Sequence, residues 1–325
     1  MASLASKPEA HLKVALDELR MQMLGAQVLF GFQFNSGFQT RTEALSWTSR
    51  LVDVGALMLI VMAIGVVIAV PCQHRLIEKG EITGRIYQTA TRYAGAALLP
   101  IALALAGDFY IVGEVVFGTW AGALGAAIAG TGSLTLLYVL PALLRPSFSK
   151  GTPMSDAHAT SLHTKIDQML TEARVILPGA QALLGFQFVV VLTQPFATMP
   201  LSAQIVHFIA LCATAIAIVL LIAPAAVHRL SFAGADTARM LHIGSTLVTV
   251  ALLPMAIGIA LDLYVATLKI LGEPMLAIAL GSAALLVLLG FWYVFPLAVA
   301  NAELVPTAAP VVATAAEQDN EKHYD

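Results

Sequence analysis

Stretches of about 20 mostly apolar residues recur along the chain, long enough to cross a bilayer as helices. They fall at roughly 21–40, 51–71, 93–117, 121–144, 175–195, 204–226, 245–269 and 275–299. The apolar character is continuous rather than alternating, and such runs read as membrane helices. The first run is the weakest, because Asn35, Ser36 and Gly37 interrupt it, but its second copy continues as "VVVLTQPF". The pattern predicts an all-α membrane protein with eight transmembrane helices.

The pattern also repeats. Shifted by 154 residues, Glu18–Phe34 matches Glu172–Phe188 at 10 of 17 positions, including "GFQF" in both copies. The same shift superposes His74-Arg75-Leu76 on His228-Arg229-Leu230, Pro100 on Pro254, Asp108 on Asp262 and Tyr110 on Tyr264. After one inserted residue, Tyr138 and Pro141 meet Tyr293 and Pro296. Self-similarity at a fixed offset marks a repeated structural unit. Each unit holds four spans, an even number, so both enter the membrane in the same direction. The expected architecture is two parallel four-helix repeats, unlike the inverted repeats of many transporters. The expected divisions are a first repeat at 1–145 with an N-terminal amphipathic segment, a cytoplasmic linker at 146–167, a second repeat at 168–300, and a disordered cytoplasmic tail at 301–325.

Composition agrees with this reading. The chain has 325 residues, of which 58% are hydrophobic and 11% charged. A soluble domain carries about 25% charged residues. Lys and Arg are unevenly placed: 14 of the 17 fall at the termini and in the loops on the same side as the termini. Only Arg41, Arg50 and Lys269 lie on the other side. Basic residues accumulate on the cytoplasmic side of membrane proteins. The expected location is therefore the plasma (inner) membrane, multi-pass, with both termini cytoplasmic. No cleavable signal peptide is visible, since charged residues lead directly into the first span. The two cysteines form no CxxC motif.

The stretches "ELRMQMLGAQVLFGFQF" at Glu18–Phe34 and "PCQHRL" at Pro71–Leu76, each echoed in the second half, resemble a bacterial domain-of-unknown-function family of small four-helix membrane proteins. Members sometimes carry the label sodium:proton antiporter. The resemblance covers residues 15–145 and 168–299 and implies proton-coupled cation transport, but no catalytic residues.

The polar residues inside the spans are the candidate chemistry. An acid within a membrane segment is a functional hypothesis by default, so Asp108 and Asp262 are the first transport or proton candidates. Gln33, Gln187, Tyr110 and Tyr264 are their candidate partners. Gln33 and Asp108 come out at similar depth on neighbouring helices, at 1.5 Å rise per residue. A protonated Asp would donate to the amide oxygen, and an ionised one would accept from its NH₂. The two Asp–Gln sites are expected to be equivalent. The competing reading is structural: the acids lie near the outer interface, and the glutamines, with Gln27 and Gln181, tie helices together. Glu114, whose counterpart is Leu268, reads as surface charge. His207 lies near an outer edge and aligns with Asp53.

A second polar cluster sits at the cytoplasmic ends: Glu18, Arg20, His74 and Arg75 in one copy, and Glu172, Arg174, His228 and Arg229 in the other. It reads either as interfacial anchoring or as an anionic lipid, substrate or pH-sensitive gate site. No metal-ligand set, cofactor motif, nucleophile elbow or phosphate loop is present, so no cofactor and no enzyme activity are expected. The expected partners are the lipid bilayer and, for a transporter, small cations and protons. There is no basic patch for nucleic acid. The alternative function is a non-transporting assembly, lipid-binding or regulatory membrane protein.

Overall fold

A computed structural model describes residues 6–81, 83–143, 161–232 and 235–303. Those residues form helices and connecting turns, without strands. The long helices are α1 (Ser6–Ser36), α2 (Trp47–Leu76), α3 (Gly84–Phe117), α4 (Thr119–Leu134), α5 (Leu162–Val191), α6 (Leu201–Leu230), α7 (Ala238–Leu271) and α8 (Pro274–Leu289). Seven of them, α2 to α8, are long and apolar enough to cross a membrane. This fits a multi-pass membrane protein. The exception is α1, which is 31 residues long but carries Lys13, Asp17, Glu18 and Arg20 in its first half and Gln27, Gln33, Asn35 and Ser36 in its second. A short helix, Phe295–Glu303, runs into the first three residues of the expected tail at 301–325; the rest of that tail lies outside the described residues, as does most of the expected linker. Helix α5 already begins at Leu162, inside the stretch read as linker.

The duplication is visible in the helix boundaries. α2 and α6 are 30 residues each, α3 and α7 are 34 each, and α4 and α8 are 16 each. The same local chemistry sets the matching ends. Thr83 caps α3 by accepting from the backbone N–H of Ile86, and Thr237 caps α7 by accepting from that of Met240. Such a hydroxyl satisfies a donor that the first helical turn leaves open. α3 ends at Gly118 with φ 95° and α7 at Gly272 with φ 73°, a region where L side chains are strained. The inserted residue is Glu273, between Gly272 and α8.

Both α4 and α8 run into a π-helical turn, Thr135–Val139 and Gly290–Val294. Pro141 and Pro296 follow within the next turn and lack the N–H that a regular helix needs there. Each π turn carries a tyrosine. Tyr138 donates to the Gly95 carbonyl at 2.6 Å and Tyr293 to the Thr249 carbonyl at 2.6 Å. These acceptors precede Pro100 and Pro254 by five residues, so each proline-bearing helix is tied to its neighbour at the same height. Close approach of α3 and α4 depends on glycine: a Cβ at Gly122 would meet the Tyr110 carbonyl at 2.6 Å, and one at Gly113 the Ala121 carbonyl at 2.8 Å. In the second half, Gly281 fits against Tyr264 in the same way.

The halves are joined along α1 and α5, which run side by side in the same direction. Gln27 meets Gly179, and Gly31 and Phe32 meet Phe186 further along. Across this seam the match between halves breaks. Gly25 and Gly185, the counterparts of Gly179 and Gly31, have open space around them. α2 also packs on α7 and α8, and Trp292 donates from Nε1 to the Gly65 carbonyl at 3.0 Å in a fully buried setting. α2 is therefore the most enclosed helix, whereas α4 is almost wholly exposed. Its outward residues include Trp120, Leu124 and Ile128, the apolar surface that lipid accommodates.

Candidate functional site

Each half brings its glutamine to its aspartate. On α1, Gln33 donates from Nε2 to both oxygens of Asp108 on α3, at 3.0 and 3.1 Å. On α5, Gln187 donates from Nε2 to Asp262 on α7 at 2.6 Å and to the Thr214 hydroxyl on α6 at 3.1 Å. Both acids lie in apolar helices, where an unpartnered carboxylate would be costly. The candidate tyrosines make no hydrogen bond to an aspartate among the described residues, and Tyr264 lies against Gly281 of α8.

Despite the shared pair, the two sites are not equivalent, contrary to expectation. The third group decides the difference. In the second half it is His207 on α6. Its Nε2 lies 3.1 Å from the Gln187 carbonyl, which can only accept, so that nitrogen carries a hydrogen. Its Nδ1 faces Asp262 at 3.2 Å. Both Nδ1 and the Asp262 Oδ1 that it faces are buried, and the contact lacks hydrogen-bond geometry. The site thus sets a titratable base beside the acid. His207, Asp262, Gln187 and Thr214 are all fully buried. Phe34 stacks on the imidazole at 5.5 Å between ring centres and Phe196 meets it edge-on at 5.1 Å. Access is closed.

In the first half, the position of His207 is taken by Asp53 on α2. Asp53 is 3% exposed, lies within electrostatic reach of Asp108, and receives no hydrogen bond among the described residues. The Oε1 of Gln33 is buried and unpartnered. The first half thus sets a second acid, rather than a histidine, near its Asp–Gln pair, and a buried amide oxygen without a partner is common to both halves. The first site also continues toward the helix ends: one turn from Asp53, Ser49 donates to Glu114, and the Ser46 and Ser49 hydroxyls lie 2.8 Å apart. Glu114 is thus half-buried and hydrogen-bonded, a correction to its reading as surface charge. In the second half Ser49 and Glu114 are replaced by Ala203 and Leu268, so the polar column exists only in the first.

The second cluster is also brought together selectively. His74 Nδ1 and Arg75 Nε at the end of α2 hold the two oxygens of Glu172 on α5, at 2.6 and 2.5 Å. Glu18, Arg20 and Arg174 are exposed. His228 lies 3.6 Å from Asp236, and His163 lies 2.7 Å from the same carboxylate. The side chain of Arg229 lies outside the described residues. Among the described residues no group of three or more His, Cys, Asp or Glu is arranged to hold a metal ion.

A family model described as a family of unknown function, DUF6328, matches the chain twice, over residues 6–141 and 156–296. The chain belongs to this family. The double match is consistent with tandem duplication of the family's unit, as the 154-residue offset predicts. No curated protein and no solved structure matches significantly.

Sequence reasoning missed Asp53, His207 and Thr214 as site residues. A signal for the first two was present: they occupy the same repeat position and both carry titratable groups. The third has no polar counterpart, since Ile60 stands at its position in the first half.

Proposed function

We propose that this DUF6328 member is a proton-coupled transporter of a small monovalent cation, and that only its first repeat carries the working site. The observation that supports this is the replacement of His207 by Asp53. In a His–Asp site the base can balance the charge of the acid, and a cation gains little there. Two acids have no such base, and their carboxylates with the Gln33 amide oxygen offer hard oxygen ligands to a cation when protons leave. Ser46, Ser49 and Glu114 form the entry from the outer side. The second site, buried and closed, holds α5, α6 and α7 together.

In this reading α1 is the eighth span. It lies parallel to α5 and buries Phe30 and Phe34 against the other helices, so it crosses wherever α5 crosses. Both termini are then cytoplasmic, in two parallel repeats. The second reading, a non-transporting lipid-binding or regulatory protein, is favoured by the closed second site and by the cationic cleft described below.

The test is a pH-gradient assay in proteoliposomes with sodium, lithium and potassium pulses. Wild type and Asp262→Asn should move protons against cation. Asp53→Asn and Asp108→Asn should lose coupling while keeping the fold. If wild type moves nothing across the ion panel, the non-transporting reading replaces this one. Equal transport by the Asp53→Asn/Asp108→Asn double variant would remove the carboxyl pair from the mechanism.

A further inference from the structure

Where α2 ends, between the start of α5 and the start of α7, the protein holds an arginine whose hydrogen-bonding capacity is mostly unused. Arg75 spends only Nε on Glu172. Its side chain is 5% exposed, and both terminal amino groups, Nη1 and Nη2, are buried without a partner. A guanidinium does not deprotonate, and its buried N–H groups are costly when left unmade. The same holds, less strongly, for Nε2 of His74, which is also buried and unpartnered.

Arg75, His74 and Glu172 border a cleft of about 250 Å³, and the unpartnered nitrogens lie just beneath its wall. Lys79, Lys165 and His242 line it as well, together with Ala238 in the first turn of α7. The acids present are already engaged: Glu172 by His74 and Arg75, and Glu81 by Lys165 at 2.5 Å. The opening turn of α7 adds the positive end of its helix dipole, a setting that favours anions. Lys79 sits at φ 50°, a left-handed conformation uncommon for a residue with a side chain, in the turn that closes this end of the cleft. The forked Nη1 and Nη2 donors match two oxygens of one tetrahedral anion, the geometry at which arginine surpasses lysine.

We infer that this cleft is a binding site for a phosphate group, held by the free fork of Arg75 and by Lys79 at the mouth. The source of the phosphate is the headgroup of an anionic phospholipid or a soluble phosphate compound. The cleft lies at the level where α2 ends and α5 and α7 begin, so either can reach it. The counterpart residues are arranged differently: Glu18, the counterpart of Glu172, is exposed, and His228 faces Asp236 instead. The inference does not depend on ion transport.

The experiment uses full-length protein in a zwitterionic detergent, followed by thermal unfolding with three probes: phosphatidylglycerol, phosphatidylcholine and inorganic phosphate. A ligand that binds only the folded state raises the unfolding temperature with concentration. Phosphatidylglycerol should stabilise the wild type more than phosphatidylcholine does. Stabilisation by phosphatidylglycerol alone identifies a lipid headgroup; stabilisation by inorganic phosphate that competes with the lipid identifies a soluble ligand. Arg75→Gln should weaken the apparent affinity roughly tenfold or more, the usual scale for a lost charge-assisted bond. Lys79→Gln leaves the Glu172 bonds intact and serves if Arg75→Gln fails to fold; it should weaken binding several-fold. Arg20→Gln, exposed and away from the cleft, should respond as wild type. The inference is overturned if neither anion stabilises the wild type beyond phosphatidylcholine, or if Lys79→Gln and every folded Arg75 variant respond as wild type does. Proton flux plays no part in this readout, so the transport reading stands or falls separately.

Discussion

The same substitution made in both halves, Gln33→Leu and Gln187→Leu, isolates what divergence did to the duplicated site. The residue change is identical, so the intrinsic gain from leucine largely cancels. Gln187 donates two bonds, to Asp262 and to Thr214, and all three residues are fully buried. Removing the amide leaves two buried acceptors without their donor. A buried group left unsatisfied costs about 1–3 kcal/mol, but hydrogen bonds between membrane helices average only about 0.6 kcal/mol, because the unfolded state in the membrane also finds partners. Two bonds between these limits give a loss of about 2 kcal/mol. Gln33 donates to a single carboxylate, on a residue that is only half-buried, so its loss is about 0.5–1 kcal/mol. The measurement is reversible unfolding in mixed micelles, by titration with a denaturing detergent. Gln187→Leu should be the less stable by at least about 1 kcal/mol. If Gln33→Leu costs as much or more, the second site is not the closed structural tie described here.

The seam between α1 and α5 makes a second comparison of this kind. Gly179→Ala, where a Cβ has no room beside Gln27, should destabilise by about 2 kcal/mol or more. Gly185→Ala and Gly25→Ala, with open space around them, should be neutral or gain up to about 1 kcal/mol in helix propensity, as read by thermal unfolding. Trp292→Phe removes the buried bond to the Gly65 carbonyl and should cost about 1–3 kcal/mol, whereas Phe291→Tyr, beside it and half-buried, should change stability little. Tyr138→Phe and Tyr293→Phe each lose one 2.6 Å bond to a backbone carbonyl; because the bonds are counterparts, the two losses should agree within about 0.5 kcal/mol, and a large disparity would show that the π turns do not play matching roles.

Sequence alone determined the helical class and the duplication, but not the helix lengths, since α2, α3, α5, α6 and α7 run to 30–34 residues, beyond the apolar stretches. Continuous apolar runs leave few alternatives to helix in a bilayer, because backbone groups there must be satisfied within the segment. Capping by Thr83 and Thr237 and the stops at Gly118 and Gly272 are local, so both copies of α3 and α7 begin and end alike. The Gln33–Asp108 pair was legible too, since depth along a helix follows from residue count. The first span, read at 21–40, belongs to a helix that begins at Ser6, and its charged first half dilutes its apolar second half; its place depends on its partner α5, which is tertiary information. What surrounds each pair was also decided only by packing. Asp53 and His207 share a repeat position, but nothing in a one-dimensional pattern tells that this position of α2 and α6 points at the acid of the third helix rather than at lipid. Likewise His74, Arg75 and Glu172 meet across the two halves, while their counterparts do not, because α2 is enclosed by α7 and α8 and α6 has no such enclosure from the first half. Duplication copied the helices and their ends, and the change between Asp53 and His207 set which group stands near each acid; one asymmetric packing decided the burial, which closes the second site and leaves Asp108 half-buried.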